Sequence, residues 1–141
     1  MTIGAILHGR TGAVIAARPA DTVRAVIDLL AQHRIGAVPV VESDVIVGIF
    51  SERDLVRLMS SYGPEALDRS LDEVMTKSPV TCDSRMAVIA ALSLMTQKRI
   101  RHLPVVDDGR LTGFVSIGDL VKHRIDHIEA EAAAMRDYIA S

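Results

Sequence analysis

Ile35-Gly36-Ala37-Val38-Pro39-Val40-Val41 and, a few residues on, Gly48-Ile49-Phe50-Ser51-Glu52-Arg53-Asp54-Leu55-Val56 form a pattern that the chain repeats 65 positions later. The second versions read Ile100-Arg101-His102-Leu103-Pro104-Val105-Val106 and Gly113-Phe114-Val115-Ser116-Ile117-Gly118-Asp119-Leu120-Val121. Set without a gap, residues 15–58 and 80–123 are identical at 14 of 44 positions, Gln32/Gln97 and Arg34/Arg99 among them. Two copies of one supersecondary unit account for that register. Each copy spans about 50–60 residues, a size at which burial is marginal for a unit standing alone. The two are therefore expected to share a core.

The same block sets the local structure on either side of it. Val23, Val26, Ile27 and Leu30 fall at helical spacing, as do Val88, Ala91, Leu92 and Met95. Asp21-Thr22 offers an N-cap in the first copy, and Asp83 and Ser84 stand nearest in the second. The proline-bearing runs Ala37–Val41 and His102–Val106 are followed by the polar turns Glu42-Ser43-Asp44 and Asp107-Asp108-Gly109. Second strands follow over Val45–Phe50 and Leu111–Val115, each with one glycine that marks a bulge or a close approach. A helix opened by Ser51 or Ser116 ends each copy, and Ile15-Ala16 and Val80-Thr81 can each add a short strand upstream. The order is β-α-β-β-α twice. Residues 1–62 form the first unit, 63–72 a linker, 73–125 the second unit and 126–141 a C-terminal helix extension.

Composition narrows the function. The chain is 49% hydrophobic with a net charge of −2, so no global field recruits nucleic acid or an anionic membrane. Aromatic residues make up 3%, too few for base-stacking platforms. The single cysteine, Cys82, excludes an internal disulfide and a multi-thiolate metal site. No apolar run approaches the ~20 residues of a membrane span, and a cytoplasmic location is expected.

These motifs resemble the cystathionine-β-synthase (CBS) domain. The resemblance rests on the order helix, proline strand, turn, glycine strand and Ser-x-x-Asp, met at 35–54 and again at 100–119. It covers about residues 1–125 and implies a stand-alone tandem pair, or Bateman module, of bacterial type. The fold implied is α/β (α+β), with two repeats packed by pseudo-two-fold symmetry plus the C-terminal helix. The function implied is non-catalytic regulation, sensing AMP, ADP, ATP or NAD, with S-adenosylmethionine in the same class, in the cleft between repeats. No cofactor and no metal are required, and the partners implied are the adenosyl ligand, a second Bateman module in a homodimer and a regulated protein. Carried across by motif, Asp54 and Asp119 take ribose hydroxyls, and Ser51, Ser116, Arg101 and His102 handle phosphate. Ala16, Ala17 and Arg18, with Thr81, Cys82 and Asp83, frame the base.

Each motif also has a plainer reading. Ser51/Asp54 and Ser116/Asp119 make capping pairs worth roughly 1 kcal/mol each. The same helix starts present free N–H groups to an anion. Arg99, Arg101 and His102 are either a solvated turn or a local phosphate site. The first copy has Gly36-Ala37 where the second has Arg101-His102, so one good site and one weak one are expected. His123 and His127 stand at i, i+4 without a third ligand, which suits a solvated pair better than a metal site. Val121, Ile125, Ile128, Ala132, Met135 and Ile139 alternate steps of four and three. That stripe either folds back, against Ile3–Leu7 for instance, or meets another subunit. A ligand-free dimerisation module is the competing function.

Overall fold

The computed structural model describes residues 1–10 and 12–141. The two copies take the same local form for the same reasons. Helix α2 (Val23–His33) is capped by the Thr22 side chain and ends where Arg34 enters the left-handed region, at φ 53°. Helix α5 (Val88–Lys98) ends in the same way at Arg99, φ 54°, but has no side-chain cap. Asp83 and Ser84 do not cap it: Asp83 accepts from the Arg85 amide, and Ser84 donates to Asp107. Strands β1 (Ala37–Glu42) and β2 (Val45–Ser51) form an antiparallel hairpin. After α3 (Glu52–Tyr62), a 3₁₀ turn (Gly63–Asp68), α4 (Leu71–Val74) and β3 (Thr76–Lys77), the second copy supplies β4 (His102–Asp107) and β5 (Arg110–Ser116). The chain closes with α6 (Ile117–Ala140), and no break separates the extension beyond 125 from the repeat's last helix.

The upstream strands expected at Ile15-Ala16 and Val80-Thr81 do not form, and single-residue bridges stand one position further on. Ala17 bridges Val40 and Cys82 bridges Val105, both parallel. Their amides donate to Pro39 and Pro104, and their carbonyls accept from Val41 and Val106. One residue beside each proline strand, with both its amide and its carbonyl bonded to that strand, pins the chain there.

The halves exchange arms. Helix α1 (Ile3–His8) precedes the first copy but docks on the second, where the Ile3 and Gly4 amides donate to Met86 and Ser84. Helix α4 docks on the first copy, its Leu71 amide donating to Asp21. The expected 63–72 linker is thus packed onto the first half, with Ala66 and Leu71 fully buried. Strand β3 then pairs with β2, so the chain leaves for the second half only after Lys77.

This exchange explains the strand glycines. A Cβ at Gly48 would stand 2.5 Å from Met75 Sδ and 2.9 Å from the Thr76 carbonyl; one at Gly113 would stand 2.5 Å from Leu7 Cδ1. The close approach is by the protein's own arms.

Burial divides into two clusters, not one shared core. Ile3, Cys82, Val88, Ala91, Met95, Leu103, Val105, Val115 and Leu120 form one. Ala17, Val23, Val26, Leu30, Val38, Val40, Phe50 and Leu71 form the other. Each half is completed by the arm that crosses to it, which offsets the small size of either unit alone. Among the described residues, no helix is long and apolar enough to cross a membrane.

Candidate functional site

Among the described residues, two cavities lie where the halves meet, one beside each Ser-x-x-Asp. The backbone enters α3 through a complete capping box. Asp54 N–H donates to Ser51 Oγ at 3.3 Å, and Ser51 N–H donates to Asp54 Oδ2 at 2.9 Å. Ser116 and Asp119 repeat this at α6, at 3.1 and 2.8 Å. Capping is therefore a fact of both helices, and it leaves Asp54 Oδ1 to accept from the Thr76 hydroxyl at 3.3 Å.

The first cavity, of about 440 Å³, is walled by Ser51, Glu52, Arg53, Asp54 and Arg57 from α3 and its cap. Thr76, Ser78, Pro79 and Val80 line it from the crossing segment, and Arg99, Ile100, Arg101 and His102 from the second half. Four guanidiniums thus face two carboxylates. The ion pairs formed among the described residues engage Arg10, Arg24, Arg69, Arg85 and Lys122, and leave these four without a carboxylate partner. A surplus of uncommitted positive charge across a concave wall attracts an anion locally, whatever the net charge of the chain.

The second cavity, of about 650 Å³, holds Ser116, Asp119, Thr112, Phe114 and His102, with Arg10, Ala13-Val14-Ile15 and Arg34 opposite. Here the acid is already taken. Arg10 Nη2 stands 2.7 Å from Asp119 Oδ2, and Arg10 Nη1 donates to the Phe114 carbonyl at 2.8 Å. Burial alone would raise the Asp119 carboxyl. The Ser116 amide and the Arg10 guanidinium outweigh it and hold the group below the usual carboxylate range.

His102 stands between the two cavities, stacked on Phe114 with ring centroids 5.5 Å apart and planes 10° from parallel. Burial lowers its pKa, against the opposing pull of Asp119 and Glu52, so the ring is neutral at pH 7. It offers a ring face and one donor, not a fixed charge.

The sequence pattern of the CBS domain matches residues 10–61 and 71–126. The chain belongs to the CBS-domain family. It is 33% identical to the CBS domain-containing protein YhcV of Bacillus subtilis over 123 residues, 87% of either chain. A solved CBS-domain protein from Agrobacterium tumefaciens, ATU1752, superposes with a TM-score of 0.82 at 37% identity, over 87% of this chain and 92% of that one. CBSX2, solved in complex with AMP, superposes with a TM-score of 0.74 at 25% identity, over 89% of this chain and 96% of that one.

Within this CBS pair the site residues named from sequence are distributed unevenly. Ser51, Asp54, Arg101 and His102 come together in the first cavity. Ser116 and Asp119 line the second, which shares His102 but not Arg101. The second repeat's basic turn therefore serves the first repeat's acid, a crossing that reading each repeat alone does not reveal. Ala16, Ala17, Arg18, Thr81, Cys82 and Asp83 lie outside both cavity walls. Ala17 and Cys82 are buried in the two cores, and burial pushes the Cys82 thiol up to about 11. The bridges at these residues turn their side chains inward, and the chain reaches the cavities a few residues earlier, at 78–80 and 13–15.

Arg53, Arg57, Thr76 and Arg10 join the cavity walls without having stood out in the sequence. The Arg53/Arg57 pair, at i, i+4 beside Asp54, is visible there; the contacts of Thr76 and Arg10 span 22 and more than 100 positions. His127 Nε2 stands 3.1 Å from Glu131 Oε1, and among the described residues no cluster of three metal-ligating side chains forms.

Proposed function

We propose that this CBS pair is a regulatory module that binds an adenosine-containing phosphate ligand in the Asp54 cavity. One observation carries the reading: among the described residues, a carboxylate free of any cation faces four unpaired guanidiniums across a cavity that both halves build. Asp54 is the acceptor for the two ribose hydroxyls, a use of carboxylates seen in dinucleotide folds. Arg57, Arg99 and Arg101 take the phosphates, where planar paired donors match phosphate oxygens. The α3 N-terminus adds its positive end. Because the acid and two of the cations belong to different halves, an occupant ties the halves together and fixes their relative setting. A partner protein then reads that setting, and no chemical step is needed. AMP bound to the related CBSX2 supports the ligand class.

The competing reading, a module without ligand, draws on the complete capping boxes, which give both acids a structural role. Thermal unfolding separates the two. An adenosyl phosphate (AMP, ADP, ATP or NAD) at about 100 times its dissociation constant adds about 2.7 kcal/mol, a rise of several degrees for a chain this size. Asp54→Ala is expected to lose both the cap and that rise. If nucleotides give no rise, and Asp54→Ala lowers stability equally with and without them, the ligand-free reading stands.

A further inference from the structure

One imidazole is shared by both cavities. His102 lines the Asp54 cavity and the Asp119 cavity alike. Phe114 covers one face of the half-buried ring and holds its plane. The side-chain hydrogen bonds and ion pairs formed nearby engage Arg10, Asp119, Asp54 and Thr76 and, among the described residues, give the ring nitrogens no partner. Charge faces the ring from every side. Glu52, Arg53, Asp54 and Arg57 come from α3, and Arg99 and Arg101 from the ring's own turn. Arg34 and the Arg10–Asp119 pair stand in the other cavity. Burial keeps the imidazole neutral, Asp119 and Glu52 pull the other way, and Arg101 sides with burial. Opposing influences thus meet at one ring, and an anion set beside it tips the balance.

We propose that a phosphate ester entering the Asp54 cavity draws a proton from solvent onto His102, so that the module reads pH together with nucleotide. This inference rests on the ligand reading above and adds a regulation to it. A phosphate ester carries close to two negative charges at neutral pH. On the wall that His102 shares with Arg99 and Arg101, it offsets the Arg101 charge and stabilises an imidazolium, as a nearby opposite charge does. The proton also adds a contact, because a neutral imidazole donates through one nitrogen and an imidazolium through both. The effect belongs to the phosphate and not to the nucleoside, whose ribose is met by Asp54. Ligand and proton then favour each other by the same factor, and lower pH tightens binding. Since the ring also walls the second cavity, filling the first brings a positive charge to the wall that Asp119 shares.

Nuclear magnetic resonance of the full chain tests it by following the His102 Cε1 proton against pH, the signal being identified by its loss in His102→Asn. In the free protein the midpoint is expected below the ordinary 6.5. Saturating AMP is expected to raise that midpoint by at least about 1 on the pH scale, and adenosine is expected not to raise it. Calorimetry gives a second reading, the AMP affinity of the wild type divided by that of His102→Asn, in which the phosphate's own ionisation near ~6 cancels. That ratio is expected to grow at least about threefold as pH falls from about 8 to about 6. A midpoint that AMP leaves unmoved, one that adenosine raises equally, or a ratio that stays flat would each overturn this inference while AMP binding stands. No AMP binding at all would overturn the ligand reading, and the proton coupling with it.

Discussion

The two cavities start from the same capping box and end with different chemistry. At Asp54 the side chain supplied by the crossing arm is the neutral Thr76 hydroxyl, 3.3 Å away. At Asp119 the arm supplies the Arg10 guanidinium, 2.7 Å away. A repeat can therefore preserve its backbone and its acid while the arm that crosses from elsewhere decides whether the acid is available. The cations follow the same logic: the second repeat's Arg99 and Arg101 serve the first cavity, and the first repeat offers the second cavity only Arg34 from the equivalent turn.

Substitutions in the basic turn should weaken ligand binding most. Arg99→Ala with Arg101→Ala should weaken AMP binding at least about a hundredfold, since hydrogen bonds to charged groups are worth about 1.5–3 kcal/mol each. Adenosine, which lacks the phosphate, should lose little. Equal losses for AMP and adenosine in isothermal titration would remove the phosphate role assigned to these residues.

Next in size is the arm itself. Gly48→Ala sets a methyl against Met75 and the Thr76 backbone, whereas Gly113→Ala meets only the end of the Leu7 side chain. Overpacking costs about 1–3 kcal/mol, and Gly48→Ala is expected to be the more costly by urea unfolding, because backbone yields less than a leucine tip. The reverse order would mean that the two arms are not seated as described.

Arg10→Ala sharpens the contrast directly. Removing the guanidinium leaves Asp119 as open as Asp54, and a second equivalent of AMP is expected to bind at least tenfold more tightly than to the wild type. Titration to a single equivalent in both proteins would show that Arg10 does not control access.

The smallest effect is a pH slope. The unfolded chain protonates His102 as pH falls through the ordinary 6.5, while the folded protein resists until lower pH. Stability from this residue is thus complete above 6.5 and declines as pH falls below it. His102→Asn should flatten the melting-temperature profile as pH falls below 6.5. The Arg10–Asp119 pair adds a further loss only below the ordinary carboxylate value of 3.8, and both partners are more than a third exposed, so that loss is modest.

What the sequence discloses follows from how far each interaction reaches. The helices, hairpins and capping boxes depend on contacts within a few residues, and periodicity and Ser-x-x-Asp expose them. Gly48 and Gly113 are recognisable as close approaches, yet what approaches them is an arm that only the folded chain brings near. The residues expected to frame the base fall one to three positions beyond the cavity walls because a one-residue bridge at Ala17 or Cys82 gives no alternating pattern. The uneven cation supply is readable from Arg101-His102 standing against Gly36-Ala37. That the richer set of cations faces Asp54 and not Asp119 depends on the crossing of the halves, which leaves no trace in either repeat.

Calorimetric titration of AMP into the wild type, Asp54→Asn and Asp119→Asn distinguishes the two acids. One binding event per chain, abolished by Asp54→Asn and retained by Asp119→Asn, is the result expected. Binding that survives Asp54→Asn but disappears in Asp119→Asn would contradict the assignment of the open cavity.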